Sequence, residues 1–145
     1  MSGLELRDVT VRYGDTTALD GVSMAVAPGE VVALLGPSGS GKSTLLRAIA
    51  GLEPLVEGTI LWDGADLAAV PTHKRGFGMV FQDGQLFPTM SVGRNVGYGL
   101  THLPKAAQRA RVTALLELVG LPGLEHRRPT ELSGGQAQRV ALARS

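Results

Sequence analysis

Val31-Val32-Ala33-Leu34-Leu35-Gly36-Pro37-Ser38-Gly39-Ser40-Gly41-Lys42-Ser43-Thr44 is the stretch that decides the fold. It has two halves. Residues 31–35 are a continuous apolar run, the pattern of a strand covered on both faces. Residues 36–44 match G-x-x-x-x-G-K-[ST], and residues 44–50 continue as a helix. Strand, glycine-rich turn and helix in that order predict a loop that cradles phosphate. Glycines let backbone N–H groups turn inward and come close to phosphate oxygens. The N-terminus of the following helix adds partial positive charge. In such a loop Lys42 neutralises the β- and γ-phosphates, and the Ser43 hydroxyl ligates Mg²⁺. The competing reading is a plain glycine turn, and the flanking strand and helix argue against it.

Outward from this loop, the N-terminal side reads as strands. Residues 4–11 are rich in apolar and β-branched types, with an alternation that slips phase near Asp8, as a bulge would cause. Val22, Met24 and Val26 alternate as a half-buried strand, which Pro28-Gly29 breaks. Residues 59–62 form a short strand ended by Asp63-Gly64, a hairpin turn. Beyond it, residues 77–81 are a further strand candidate. Residues 105–119 predict a helix with Val112, Leu115, Leu116 and Val119 on one face, stopped by Gly120 and Pro122. Ser133 is placed to cap a last helix through Arg144. The order implies an α/β core with a small β part before it and a helical part after it. The expected division is residues 1–85 for the β part and phosphate-loop core, and 86–145 for the helical part.

Bulk properties narrow the function. The chain has 145 residues, the size of one domain, and 43% of them are hydrophobic, enough for a core. A formal net charge of +1, spread along the chain, gives no electrostatic footprint for nucleic acid. With no cysteine there is no disulfide framework and no thiolate metal site. The N-terminus shows no signal peptide, and the strongest apolar run is too short to span a bilayer. A membrane role would come through docking onto another protein. His73, His102 and His126 lack ligand spacing and are expected to face solvent, and Arg139 is expected to be structural.

Leu132-Ser133-Gly134-Gly135-Gln136 follows the phosphate loop by roughly ninety residues. Its physics is that of a helix N-terminus with exposed amides and a hydroxyl, a second anion site. On physics alone an ordinary capped helix after a Gly-Gly turn fits equally. The pair GPSGSGKST and LSGGQ, however, resembles the ATP-binding subunit of ABC transporters, with a match from about Leu4 to Arg144. The resemblance implies an ABC-type ATPase core of the P-loop NTPase class with an N-terminal antiparallel β subdomain and a helical signature subdomain. It also implies a head-to-tail dimer with a second ATP-binding subunit. Each ATP then lies between one chain's phosphate loop and the other's signature, so Ser133, Gly134, Gly135 and Gln136 would contact a γ-phosphate bound to the partner.

Further roles follow from the same resemblance. Tyr13, in Val11-Arg12-Tyr13-Gly14, takes the place of the aromatic residue that stacks on adenine; on its own it reads as an exposed edge-strand tyrosine. Gln82, in Val80-Phe81-Gln82-Asp83, matches a glutamine that touches Mg²⁺ and the attacking water. The loop Leu86-Phe87-Pro88-Thr89-Met90-Ser91-Val92 corresponds to the groove where a short cytoplasmic helix of a membrane permease subunit docks; otherwise Leu86, Phe87 and Met90 are core. The region from Lys74 through Gly99 is similar to bacterial importers, a group handling iron, polyamines, thiamine, sulfate, molybdate and sugars. ATP and Mg²⁺ are the implied cofactors. Permease subunits and an extracytoplasmic solute-binding protein are the implied partners, no nucleic acid is expected, and the implied place is the cytoplasmic face of the membrane.

Family members continue past the signature helix into a strand ending in an aspartate, then a catalytic glutamate and later a histidine that contacts the γ-phosphate. The chain is expected to stop before all three, with the C-terminal part of the domain missing, and to leave apolar surface uncovered near residues 31–35 and 77–81. Weak hydrolysis by the 145 residues alone is the expectation, since catalysis of phosphoryl transfer is mostly positioning and charge stabilisation. Three functions follow: the motor subunit of an importer, a nonhydrolytic piece that binds only nucleotide or a partner, and a soluble ABC ATPase acting on nucleic acid or ribosomes. The short interval between the motifs, without heptads or cysteine, argues against the last. A simple nucleotide kinase would leave the signature unexplained.

Overall fold

A computed structural model describes residues 3–81 and 85–145. They form two compact units, one up to Phe77 and the other from Gly78, each with its own apolar core.

The first unit is built on four strands, β1 (Leu4–Tyr13), β2 (Thr16–Val26), β3 (Glu57–Trp62) and β4 (Ala65–Asp66), in one antiparallel sheet of order β2-β1-β3-β4. The phase slip of β1 is a bulge: Asp8 takes a φ of 48°, and the register breaks between Leu6 and Val9. Ser23 holds the bulge, its Oγ accepting from the Asp8 N–H at 2.8 Å and donating to the Asp8 carboxylate at 3.0 Å. Val9 and Val11 stand an odd number of residues from Leu6, so strict alternation would put them on the opposite face. The irregularity brings all three into the core. Asp63 and Gly64, with φ of 51° and 81°, make the type I′ turn from β3 to β4.

Helix α1 (Lys42–Ala50) lays Leu45 and Ala48 on the sheet face formed by Leu6, Val9, Val11, Leu19 and Ile60. Burying a side chain such as Leu45 contributes about 2 kcal/mol. The helix ends in a left-handed Gly51, with Gly51 N–H donating to Ala48 O and Leu52 N–H to Arg47 O. The Arg75 guanidinium closes that end: it donates to the carbonyls of Ala48 (3.3 Å), Ile49 (2.9 Å), Leu67 (3.0 Å) and Val70 (2.9 Å).

Two expected strands are not formed. Residues 31–35 have no ladder partner among the described residues, with Val31 95% and Leu35 90% exposed. Only Leu34 of this run packs against the core. Residues 77–81 likewise lack a ladder. A strand is a hydrogen-bonded pairing, so an apolar run becomes one only when a neighbouring edge takes its N–H and C=O groups. The exposed apolar surface expected around 31–35 is present.

In the second unit, α2 (Val92–Val96), α3 (Lys105–Leu118) and α4 (Gly134–Arg144) surround Val92, Val96, Val112, Leu116, Leu121, Val140 and Ala143. Helix α3 places Val112 and Leu116 inward, with Leu115 and Val119 packed at the margin, as its periodicity requires. Its end is a Schellman turn, Gly120 N–H to Glu117 O and Leu121 N–H to Leu116 O, with Gly120 at φ 69°. Arg139 donates to the leftover carbonyl of Val119 at 3.1 Å, the structural use expected of it. The three histidines are exposed. Among the described residues no helix is long and apolar enough to cross a membrane, and no group of acidic residues and histidines is placed to hold a metal.

Candidate functional site

Gly36 to Gly41 run as an open loop into α1, and the chain's own atoms shape it. Ser40 N–H closes a turn onto Pro37 O at 3.3 Å. A Cβ on Gly36 would stand 2.9 Å from Ser40 Oγ and 4.0 Å from Lys42 Nζ, filling the cradle. Gly41, at φ 86°, closes on β2 so tightly that a Cβ would stand 2.5 Å from Ala18 O and 2.8 Å from a Leu19 methyl. Lys42 curls back over the loop: Nζ donates to Gly36 O (2.9 Å), Pro37 O (2.6 Å) and Ser40 Oγ (3.0 Å). The ammonium is therefore fixed within the loop and not extended into solvent.

The start of α1 completes the electrostatics. Leu45 is the first residue whose N–H finds an intrahelical acceptor, Gly41 O at 2.8 Å, so the amides of Lys42, Ser43 and Thr44 remain available. The first turn has no acidic residue to neutralise the positive end of the helix dipole. Among the described residues no hydrogen bond takes up the hydroxyl of Ser43 or Thr44, and Ser38 and Gly39 are exposed. Unpaired amides at the start of α1, a fixed cation, free hydroxyls and no acidic residue in the first turn fit a polyphosphate with its divalent cation.

Tyr13 belongs to the same unit. It ends β1, pairs with Thr16, and is 47% exposed. Ala18, against which Gly41 closes, lies two residues farther along β2. Tyr13 and Gly41 thus both sit against the first residues of β2. Gln82 lies outside the described residues.

Ser133, Gly134, Gly135 and Gln136 form the N-terminus of α4 in the second unit. Ser133 Oγ accepts from Gln136 N–H at 3.3 Å, and Gln136 Oε1 accepts from Ser133 N–H at 2.9 Å, a reciprocal capping box. This leaves the Ser133 hydroxyl proton, the Gln136 Nε2 group and the Gly134 and Gly135 amides for a ligand, again with no acid in the first turn.

Within 86–92, Leu86 packs against the core, Met90 is half-buried, and Phe87 is 37% exposed with its ring 4.7 Å from that of Tyr98. Leu86 follows the core expectation for this loop, while Phe87 stands at the surface. Sequence reasoning missed what organises it. Asn95 is fully buried and takes four hydrogen bonds with Phe87, Met90 and Ser91. The available signal was an amide between Val92 and Val96 on an otherwise apolar helix face. Arg75 and Arg144 carry no local signal, because their partners are distant in sequence.

A family model described as ABC transporter matches residues 19–145. The Fe(3+) ions import ATP-binding protein FbpC of Streptomyces coelicolor is 54% identical over 144 residues, covering 98% of this chain and 41% of that protein. The sulfate/thiosulfate import ATP-binding protein CysA of Mycobacterium bovis is 53% identical over 140 residues, covering 95% of this chain and 40% of that protein. Among solved structures, the dimeric post-hydrolysis state of the ATP-binding cassette MJ0796, bound to ADP and Pi, superposes with a TM-score of 0.87 at 32% identity, covering 97% of this chain and 68% of that one. CbiO1 from Clostridium perfringens, part of the ABC transporter complex cbiONQ, gives a TM-score of 0.86 at 36% identity, covering 98% and 60%. The chain spans about two fifths of the length of the curated relatives it matches. The segments Gly36–Thr44, at the start of α1, and Leu132–Gln136, at the start of α4, thus sit in the fold of ABC ATPase domains, and the chain belongs to the ABC transporter family.

Proposed function

We propose that this chain binds Mg-ATP as the nucleotide-binding part of an ABC importer's motor. The observation that carries the reading is the Gly36–Thr44 loop, in which Lys42 is already fixed over a helix start free of acidic residues. In this reading Gly36, Pro37, Ser38, Gly39, Ser40 and Gly41 wrap the phosphates with backbone amides. Lys42 neutralises β- and γ-phosphate charge, and Ser43 with Thr44 closes the site. Tyr13 stacks on the base. Ser43 and Gln82 would hold Mg²⁺, which when bound offsets phosphate charge.

Ser133, Gly134, Gly135 and Gln136 would meet the γ-phosphate of a nucleotide on a second subunit in a head-to-tail dimer. The dimeric ADP- and Pi-bound cassette that superposes on this chain supports that pairing. The import role rests on relatives named as iron and sulfate import ATP-binding proteins. It brings with it permease subunits, docked on 86–92, a solute-binding protein on the far side, and a place at the cytoplasmic face of the membrane. Hydrolysis belongs to the same reading. A second reading keeps binding and drops turnover.

A thermal melt with and without Mg-ATP tests the binding. A ligand at a hundred times its dissociation constant stabilises the folded state by about 2.7 kcal/mol. A clear upward shift is expected for the wild type and none for Lys42→Ala. An unshifted wild type at millimolar Mg-ATP would sink the nucleotide reading, and phosphate release by the same sample separates turnover from binding.

A further inference from the structure

Helix α4 carries the signature at its first turn and Arg144 in its last, about 16 Å apart by helix rise. Arg144 Nη1 donates to Gln85 O at 3.0 Å and lies 3.5 Å from Asn95 Oδ1. Its guanidinium sits over the Phe87 ring, 5.0 Å from the centroid. No carboxylate pairs with Arg144 among the described residues, so the charge is met by a carbonyl, an amide oxygen and a π face. A planar fork suits that combination, whereas a lysine offers a point charge.

The loop that Arg144 grips is itself stiff. Asn95, fully buried, accepts from Phe87 N–H at 2.8 Å and donates to the carbonyls of Phe87 (3.1 Å), Met90 (3.2 Å) and Ser91 (3.1 Å). Phe87 is braced further by Tyr98. Two stiff bodies move together only if the joint between them is also stiff, and Arg144 is bonded to both.

We propose that Arg144 is a positioning residue that fixes the 85–91 loop to the signature helix, so that a displacement at residues 133–136 is delivered to Phe87 and Met90. The functional half of this rests on the reading that the signature meets a nucleotide and that the loop meets a membrane partner. The mechanical half does not depend on it.

Because the chain has no cysteine, a single nitroxide reports on one place. Thr89→Cys puts it in the loop, and Ala107→Cys on the exposed side of α3 serves as control. In Arg144→Gln the label at 89 is expected to tumble at least threefold faster while the label at 107 is unchanged. Arg144→Lys should show an intermediate loss, because it keeps the charge without the fork. Phe87→Leu, which removes the π face beneath Arg144 and leaves the sequence of α4 unchanged, should also loosen the label at 89 and serves if Arg144→Gln fails to fold. An unchanged label at 89 in Arg144→Gln overturns the proposal. Equal loosening at both positions also overturns it, since Arg144 would then merely support the helical unit. Adding Mg-ATP at a protein concentration that allows pairing should shift the spectrum at 89 in the Arg144 protein and not in Arg144→Gln. A response that survives in Arg144→Gln overturns the delivery step, and failure of the wild type to bind Mg-ATP at all overturns the nucleotide reading and the delivery step with it, leaving the mechanical half to stand on mobility alone.

Discussion

Gln136 commits one end of its amide to its own helix. Oε1 accepts from Ser133 N–H, which fixes the flip and leaves only Nε2 facing outward. Gln136→Glu separates the two duties. A glutamate at this position keeps the capping box and adds a favourable charge at the helix start, so stability should stay within about 0.5 kcal/mol of wild type or rise. The same change removes the donor and places a carboxylate where a phosphate would approach. ATP-dependent pairing, followed by sedimentation, should weaken at least tenfold while monomer affinity for Mg-ATP is unchanged. Equal pairing by the variant would remove Gln136 from the site. At this scale the sequence was legible where chemistry is local. Gly36 through Thr44 and Ser133 through Gln136 are contiguous, and each motif holds its own partners. Arg75 and Arg144 were not legible as tethers, because they reach carbonyls 26 to 59 residues away, and carbonyls are the same in every residue.

Among the elements, α3 illustrates how pattern becomes packing. Val112 and Leu116 stand one turn apart on its inner face, and Leu116 is fully buried. Leu116→Ala should cost 2–5 kcal/mol, roughly the range for large-to-small changes at sealed core positions. The loss should appear in the helical signal of urea denaturation. The fluorescence of Trp62, the sole tryptophan, which packs edge-on against Phe77 in the other unit, should keep its midpoint. A Trp62 midpoint that falls in step would show that the two cores unfold as one. The β1 bulge, the β3–β4 hairpin and the stops of α3 were readable because each is decided by residues a few places apart. Residues 31–35 read as a strand and are not one here, since apolarity specifies what a segment buries and only a second edge supplies its ladder. That edge is a property of distant sequence, which periodicity within a window cannot carry.

For the whole molecule, the division at Phe77 and Gly78 is the feature with the widest consequence. Each unit has its own apolar core, and the phosphate loop belongs to one while the signature belongs to the other. Scanning calorimetry is therefore expected to resolve two heat-absorption peaks, with a calorimetric enthalpy exceeding the van't Hoff value of the combined transition. A single peak with equal enthalpies would contradict this. Mg-ATP in dilute protein should raise only the peak of the unit that holds Lys42. As protein concentration rises and the signature of a second copy engages the nucleotide, the other peak should climb as well. On the proposed function the molecule would be its own stoichiometer: one peak would count nucleotides bound, and the second how many of them are shared.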